Sequence, residues 1–320
     1  MTKISVIIPC KNEETTIKDC IGSLFNQNVN NQIEVILVDN GSNDKTVEIV
    51  KENFKHIRIY IEPEKTISEI RNFGATLASN EWLAFIDADV IVEQDWFVSF
   101  RTFINTKRAS GIDVFNIITG STCLIPEKPT WIEKTWFRQL QVRDYLNNKY
   151  INSGHLIIHR QLFDKIGGFD VTFMTGEDEK LCNDAKKYDG IIIKENSIRA
   201  VHYGYPKSLW EFFVREKWHG IGMKKYLGRP FVYKDLQIAL YNWTALFVLI
   251  LFSFLFGFKI KLFLLFISLI LLPHLVLSFN RSQANIIIFF SLALLYFVYG
   301  LAKMAAIPGI VYDILFERKK

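Results

Sequence analysis

The chain has 320 residues, half of them apolar, with a formal net charge of +5. That length suffices for one large domain with a proper core plus something smaller. The positive excess is mild and forms no basic stripe with interleaved aromatics, so nothing supports a nucleic-acid partner.

The apolar share is uneven: charged and apolar residues mix over the first two thirds, and from Leu236 onward the chain is almost wholly apolar. Cys10, Cys20, Cys123 and Cys182 are scattered and form no CxxC pair. This pattern reads as reduced, mostly buried thiols in a cytosolic compartment rather than a metal or disulfide framework. "MTKISVIIPCKNEE" has too short an apolar run for a signal peptide and turns acidic at once, so it reads as a first strand.

Strand and helix patterns then alternate. "ISVIIP" is a short β-branched run, and "NEETTIKDCIGSLFNQ" carries Ile17, Cys20, Ile21, Leu24 and Phe25 at helical spacing. "IEVILVDN" is a second strand closed by the turn "NGSNDKT"; "DKTVEIVKENF" is a second helix and "IRIYIE" a third strand. "TISEIRNFGATLASN" is a third helix and "WLAFIDADV" a fourth strand. Such alternation predicts an α/β fold with a mostly parallel sheet flanked by helices, Rossmann-like in layout. Ligands of such sheets bind at the C-terminal strand ends, at a switch point in strand order. The polar residues Pro9 to Glu13, Asp39 to Ser42 and Asp87 to Asp89 sit at those ends. No GxGxxG follows the first strand and no P-loop occurs, which removes the main support for a dinucleotide dehydrogenase or a P-loop NTPase.

Asp87 and Asp89 stand two apart in what should be an extended strand, so both face one side. Like charges that close repel unless a cation joins them, and hard oxygen ligands favour Mg²⁺ or Mn²⁺. The alternative is an Asp-rich turn. Asp39 is placed to accept from a base or a ribose hydroxyl. Arg71 is placed either to reach a diphosphate as a planar fork or to form a surface salt bridge. Further on, Gly154 and the pair Gly167 and Gly168 mark tight turns, and "DEKLCNDAKK" reads as a helix. Glu177 and Asp178 fall at its start, where a carboxylate complements the helix dipole or serves as a general base. His202, in "VHYGYP", is either structural or a further metal ligand.

"KSLWEFFVREKWHGIGMKKYLGRP" places Trp210, Phe213, Val214, Trp218 and Ile221 at helical spacing, with Lys207, Arg215, Lys217, Lys224 and Lys225 around them. A basic amphipathic helix of this kind suits the headgroup layer; the alternative is a surface helix packed on the core. Three uncharged stretches follow at 236–258, 262–280 and 282–302, each near the roughly 20 residues that span a bilayer. Tyr241 and Trp243 sit where an interfacial belt falls. Lys259 and Lys261 mark a tight turn between the first two stretches. Pro273 is tolerable within the second. Three crossings would put "FERKK" on the far side, against the positive-inside tendency; two crossings and a shallow third helix would keep it cytosolic. The expected division is 1–205 catalytic, 206–235 a membrane-interface linker and 236–320 a membrane region with two or three transmembrane helices.

The motifs "VIIPCKNEE", "VDNGSNDKT", "IRNFGATLASNEW", "FIDADV", "GGFD" and "GEDEKLC", in that order, resemble the inverting glycosyltransferases of family 2, which have the GT-A fold. The match covers residues 4–205. The resemblance implies that Pro9, Asn12 and Glu13 line the nucleotide pocket, that Asp39 contacts the base or ribose, and that Arg71 and Asp87 serve the donor. It implies that Asp87 and Asp89 form the DxD motif, that His202 completes the metal site and that Asp178 is the catalytic base. Many members carry a basic residue after "EDxxLC"; here Asn183 and Asp184 stand there, and Arg215 and His219 become the candidates for that diphosphate contact. Gly154, Glu177 and His219 are candidates for the acceptor side.

The implied partners are a UDP- or GDP-sugar, a divalent metal (Mn²⁺ or Mg²⁺), membrane lipids, and a lipid-linked or glycan acceptor. The implied setting is a multi-pass membrane protein with its catalytic domain in the cytoplasm, serving surface-glycan synthesis. An acceptor that is itself a polyprenyl phosphate would need no base. Among rivals, a sugar-1-phosphate nucleotidyltransferase would need a glycine-rich basic loop, and "PCKNEE" is acidic and lacks glycine. A non-catalytic membrane scaffold would not need Asp87, Asp89 and Asp178 intact.

Overall fold

The computed structural model describes residues 2–27, 29, 31–146, 150–227, 234–257, 260–283 and 285–316. It divides into two compact units: Met1–Glu127 with Gln141–Tyr205, and Lys128–Leu140 with Pro206–Lys320.

The first unit is built on strands β1 (Ile4–Cys10), β2 (Ile33–Asp39), β3 (Arg58–Ile61) and β4 (Trp82–Ile86), with helices α1 (Ile17–Phe25), α2 (Thr46–Asn53) and α3 (Ile67–Leu77) between them. All seven residues of β1 are buried, as a central parallel strand covered on both faces requires. Ile17, Cys20, Ile21 and Leu24 form the buried stripe of α1. Thr66 and Glu69 close a capping box at the start of α3. The chain continues through β5 (Val90–Val92), α4 (Trp96–Ala109), β6 (Ile117–Gly120), α5 (Trp131–Leu146), β7 (His155–His159), α6 (Arg160–Ile166), α7 (Glu177–Lys186), β8 (Ile191–Lys194) and β9 (Ala200–His202).

Seven strands form the main sheet in the order β3-β2-β1-β4-β7-β6-β8. The pairs β1 with β2, β1 with β4, β2 with β3 and β6 with β8 are parallel, while β7 runs antiparallel to both β4 and β6. The expected mostly parallel α/β sheet is therefore present, with one reversed strand that the turn-rich stretch after Gly154 did not announce. Strand order reverses between β1 and β4; β1 and β2 end in Cys10 and Asp39, and Asp87 follows the last residue of β4. A separate antiparallel ribbon pairs β5 with β9, placing His202 opposite Val90. Aromatic packing fixes the sheet's lower face: Phe85 of β4 meets Phe169 edge-on with ring centroids 4.9 Å apart.

The second unit contains residues 128–140, then α8 (Leu209–His219), α9 (Lys234–Phe256), α10 (Ile260–Ser282) and α11 (Ile286–Phe316). Phe212 of α8 is fully buried among Ile132, Trp136 and Leu295, whereas Trp210, Val214 and Trp218 are exposed. Among the described residues three helices, α9 to α11, are long and apolar enough to cross a membrane. Pro273 lies inside α10 without ending it. The turn at Lys259 and the tail 317–320 fall outside the described residues. The third apolar stretch does not stop before Lys303, as its charge led us to expect; α11 runs on to Phe316. Lys303 is 1% exposed, and its Nζ meets Glu216 Oε2 at 2.9 Å and Asp235 Oδ2 at 3.6 Å. A buried cation paired in this way does not interrupt a helix.

Candidate functional site

The acidic pair occupies a turn rather than an extended strand. β4 ends at Ile86, and the Val90 N–H donates to the Asp87 carbonyl at 3.0 Å, closing a turn over Ala88 and Asp89. The alternating geometry expected for Asp87 and Asp89 therefore does not apply. Their carboxylates converge because the turn folds back into β5, and the Tyr203 N–H then donates to the Asp89 carbonyl at 2.8 Å. That ribbon brings His202 Nε2 to 3.4 Å from Asp89 Oδ1. One ligand atom from each of Asp87, Asp89 and His202 lies within 4.8 Å of the others.

Two glycines press on this turn from behind. A Cβ on Gly204 would stand 1.7 Å from Asp89 Oδ2, and one on Gly154 would stand 2.6 Å from Asp87 Oδ2. Gly154 also accepts the Asp87 N–H through its carbonyl at 3.1 Å. Gly154, expected on the acceptor side, thus packs against the DxD turn itself.

Arg71 is 3% exposed, so it is no surface ion pair. Its Nη2 donates to Asp87 Oδ1 and its Nη1 to Glu177 Oε1, both at 2.8 Å. The fork expected to reach a diphosphate is engaged by two carboxylates. Glu177 also accepts from Ser153 Oγ at 3.1 Å. Its neighbour Asp178, in the first turn of α7, accepts from the Glu179 N–H at 2.7 Å and from the Ser153 N–H at 3.4 Å. Burial, with the Glu177 charge adding to it, pushes the Asp178 carboxyl up to about 7. Ser153 was not anticipated; its only sequence signal was its place beside Gly154.

The other strand ends hold loops. Asp39 is 1% exposed and accepts both the Ser42 N–H, at 2.8 Å, and the Ser42 hydroxyl. It therefore closes the 40–42 turn. Asn12 adopts a left-handed φ of 58°, donates its N–H to Ser42 Oγ at 2.8 Å and accepts the Asn43 N–H at 2.9 Å. Pro9 is buried within β1. Glu13 anchors its N–H on Thr46 Oγ1 at 2.7 Å; burial, with Asp89 adding to it, pushes its carboxyl up to about 7. Cys20 packs under the site, its Sγ 3.6 Å from the Asp87 carbonyl, and burial holds its thiol protonated. All four cysteines are free. His155, at the start of β7, accepts the Trp96 indole N–H at 2.7 Å, and burial lowers its pKa to about 4. It is a neutral core residue. Arg215 and His219 lie on α8 in the second unit.

A switch-point sheet end that gathers two aspartates and a histidine, with an acidic helix start tied to them by one arginine, is the arrangement of a GT-A sugar transferase. Residues 5–167 match the model of glycosyl transferase family 2, and the chain belongs to that family. It is 28% identical over 182 residues to the glycosyltransferase AglE of Haloferax volcanii, covering 55% of this chain and 58% of that protein. It is 33% identical over 102 residues, 30% of this chain and 32% of that protein, to a dolichyl N-acetyl-alpha-D-glucosaminyl phosphate glucuronosyltransferase (a diacetamido-dideoxy sugar transferase) of Methanococcus voltae. The chain thus spans less than two thirds of these relatives' lengths. Among solved structures, a mannosyltransferase from Pyrobaculum calidifontis in complex with GDP-Man and Mn²⁺ superposes over 99% of this chain and 88% of its own, with TM-score 0.61 at 14% identity.

Two substitutions test the geometry. Gly204→Ala forces Asp89 aside, and we expect Mn²⁺ affinity, read by titration calorimetry on the purified chain, to fall at least about tenfold. Unchanged affinity would mean that the turn relaxes without cost. Arg71→Met leaves Asp87 and Glu177 facing each other without their shared cation. We expect a loss of about 3 kcal/mol of stability, at the lower end for a broken buried pair because Asp87 is partly exposed. Arg71→Lys should recover only part of it, since one ammonium lacks the fork that reaches both carboxylates. Thermal unfolding in detergent reads both.

Proposed function

We propose that this chain is a membrane-anchored glycosyltransferase that moves a sugar from a nucleoside-diphosphate donor, with inversion, to a hydroxyl of a lipid-linked acceptor on the cytosolic face. The observation that carries the reading is the convergence of Asp87, Asp89 and His202, tied through Arg71 and Glu177 to the helix start that carries Asp178, whose carboxyl sits at about 7.

The donor set fits a divalent cation. Two carboxylates and an imidazole offer oxygen and nitrogen ligands, and Gly204 leaves room for the Asp89 carboxylate that any side chain would fill. Asp87, Asp89 and His202 would hold Mn²⁺ or Mg²⁺. Such an ion, when bound, offsets the charge that builds on the departing diphosphate.

The protein's own residues divide the remaining work. Asp178 accepts the proton of the acceptor hydroxyl; the acceptor oxygen forms a bond to the anomeric carbon as the bond to the diphosphate oxygen breaks. One displacement from the opposite face inverts the configuration. Arg71 holds Asp87 and Glu177, so that the metal end and the base end keep their separation. Pro9, Asn12, Glu13 and Asp39 shape the nucleotide side by fixing the loops at the ends of β1 and β2. Arg215 and His219 remain candidates for the diphosphate, and His219 also for the acceptor. The membrane-interface reading of 206–235 is supported by the exposed Trp210, Val214 and Trp218; residues 228–233 lie outside the described ones. The lipid acceptor is supported by the three apolar helices and by the dolichyl-linked substrate in the name of the Methanococcus relative.

The test is a panel of labelled UDP- and GDP-sugars offered to membranes containing the chain plus a lipid extract of its host. We expect label in the lipid phase with Mn²⁺ or Mg²⁺ and none after chelation. Transfer that survives chelation, or a panel yielding no lipid-phase label, counts against the proposal.

The pH dependence follows from the base. A carboxyl with a pKa of about 7 is protonated and inactive below that value and ionised above it, so transfer should rise through about pH 7. Asp178→Asn should lower kcat by roughly 100- to 10,000-fold and abolish that rise, with donor binding unchanged. Transfer to a polyprenyl phosphate, already anionic, would show neither effect.

A further inference from the structure

Length and composition admit α11 as a third span, but its contacts do not follow the course of a span. α9 meets α10 well beyond its first turns: Tyr241 Oη donates to the Leu269 carbonyl at 2.7 Å, and eleven residues further along α9 Phe252 packs on Phe266 with centroids 6.1 Å apart. The partners of α11 on α9, by contrast, do not advance. Tyr299 Oη donates to Asp235 Oδ1 at 2.5 Å, and Lys303 lies 3.6 Å from the same carboxylate. A Cβ on Gly300 would stand 2.8 Å from Asn242 Nδ2, and the Met304 carbonyl accepts the Trp243 indole N–H at 3.0 Å. Ala306 and Ile310 then share a buried cluster with Leu236 and Ala239.

From Tyr299 to Ile310 the helix rises about 16 Å. A parallel or antiparallel neighbour would move along α9 by the same distance. Here every one of these contacts falls within residues 235–243, the first turns of α9. On α10 the partners lie in its C-terminal half: Arg281, whose Nη1 donates to Tyr296 Oη at 2.5 Å, and, about two turns back, His274 beside Gly300. Asp235, Lys303 and Glu216 form one charged cluster at the start of α9, and Arg281 meets α11 two turns earlier, at Tyr296; a headgroup layer accepts such charge and a hydrocarbon core does not. The exposed side chains Ile286, Ile287, Phe290, Leu294, Leu301, Val311, Tyr312, Leu315 and Phe316 fall within about 140° of the helix surface at 100° per residue, opposite the buried Ala306 and Ile310; only in the last turn is a residue of the other side, Ile314, also exposed.

We propose that α11 does not cross the bilayer but lies in the membrane plane across the open end of the α9–α10 hairpin, its outward face covered by the lipid headgroup–acyl boundary. The chain then crosses twice, and Phe316 stays on the side where α9 begins. This stands apart from the catalytic reading and survives or fails without it.

The test uses the full chain with epitope tags at both termini, outside the described elements, in sealed vesicles of known orientation. We expect both tags on the same face; tags on opposite faces overturn the proposal. A second measurement reads depth. Leu301 is the midpoint of α11, so a nitroxide at Leu301→Cys, with Cys123 replaced by Ala, marks the bilayer centre if α11 spans and the interface if it does not. Power saturation in phosphatidylcholine–phosphatidylglycerol vesicles should place the label roughly 5–10 Å into the headgroup–acyl boundary. A label near the bilayer centre overturns the proposal, as does one shielded from both oxygen and a nickel chelate, which would mean that a second copy covers this face.

Discussion

Arg71 donates one terminal nitrogen to Asp87 at the end of β4 and the other to Glu177 at the start of α7, with 3% of its surface exposed. Burying a guanidinium is costly unless its donors are met by carboxylates in good geometry. Two carboxylates meet it here, and they come from parts of the chain 106 and 16 residues away. The arginine therefore fixes the distance between the DxD turn and the α7 helix start, which neither element could set alone. Ser153 extends the tie to the stretch before β7, through its hydroxyl on Glu177 and its N–H on Asp178. The loops after β1 and β2 are fixed separately, through hydrogen bonds among Asn12, Ser42 and Asp39.

The sheet was legible because its signals are local. β-branched runs alternating with stripes such as Ile17, Cys20, Ile21 and Leu24 declare β1 to β4 and the helices between them. Reversed β7 was not legible, since "HLIIH" looks the same in either direction and its pairing is a long-range choice. The candidate site residues stood out in the sequence by type and by their places at strand ends and on helices. Their geometry did not. Asp87 and Asp89 converge through a turn whose closing bond, Val90 to Asp87, has no sequence signature, and His202 arrives through a ribbon formed with residues more than a hundred positions earlier. Arg71 was identified as important for a different reason from the one its contacts give, because sequence shows a cation's reach but not which anions lie within it.

The same limit explains the apolar region. Lys303 looks like the end of a hydrophobic segment when charge is counted along the chain. In space it is neutralised by Glu216 and Asp235, so α11 continues for thirteen residues more, to Phe316. Hydropathy describes what a helix is able to do; its neighbours decide where it lies. Tyr299 and Lys303 both addressing Asp235 is a statement about position that no window average contains.

The arginine also sorts the acidic residues by task. It donates to Asp87 and Glu177 and not to Asp178, while its Nε–H is buried without a partner. Asp178 is buried beside the Glu177 charge with only backbone donors at its oxygens, and its carboxyl consequently sits at about 7 instead of near 4. A carboxylate so placed takes up a proton readily at neutral pH, which is what a general base must do. Glu177, one residue earlier on the same helix turn, is bound to the arginine and cannot share that task. Asp89 lies next to His202, pressed by Gly204, where in the proposed reaction it would hold the metal. In the proposed reaction the position of each carboxylate relative to one buried cation therefore decides whether it binds a metal, holds the frame or moves a proton.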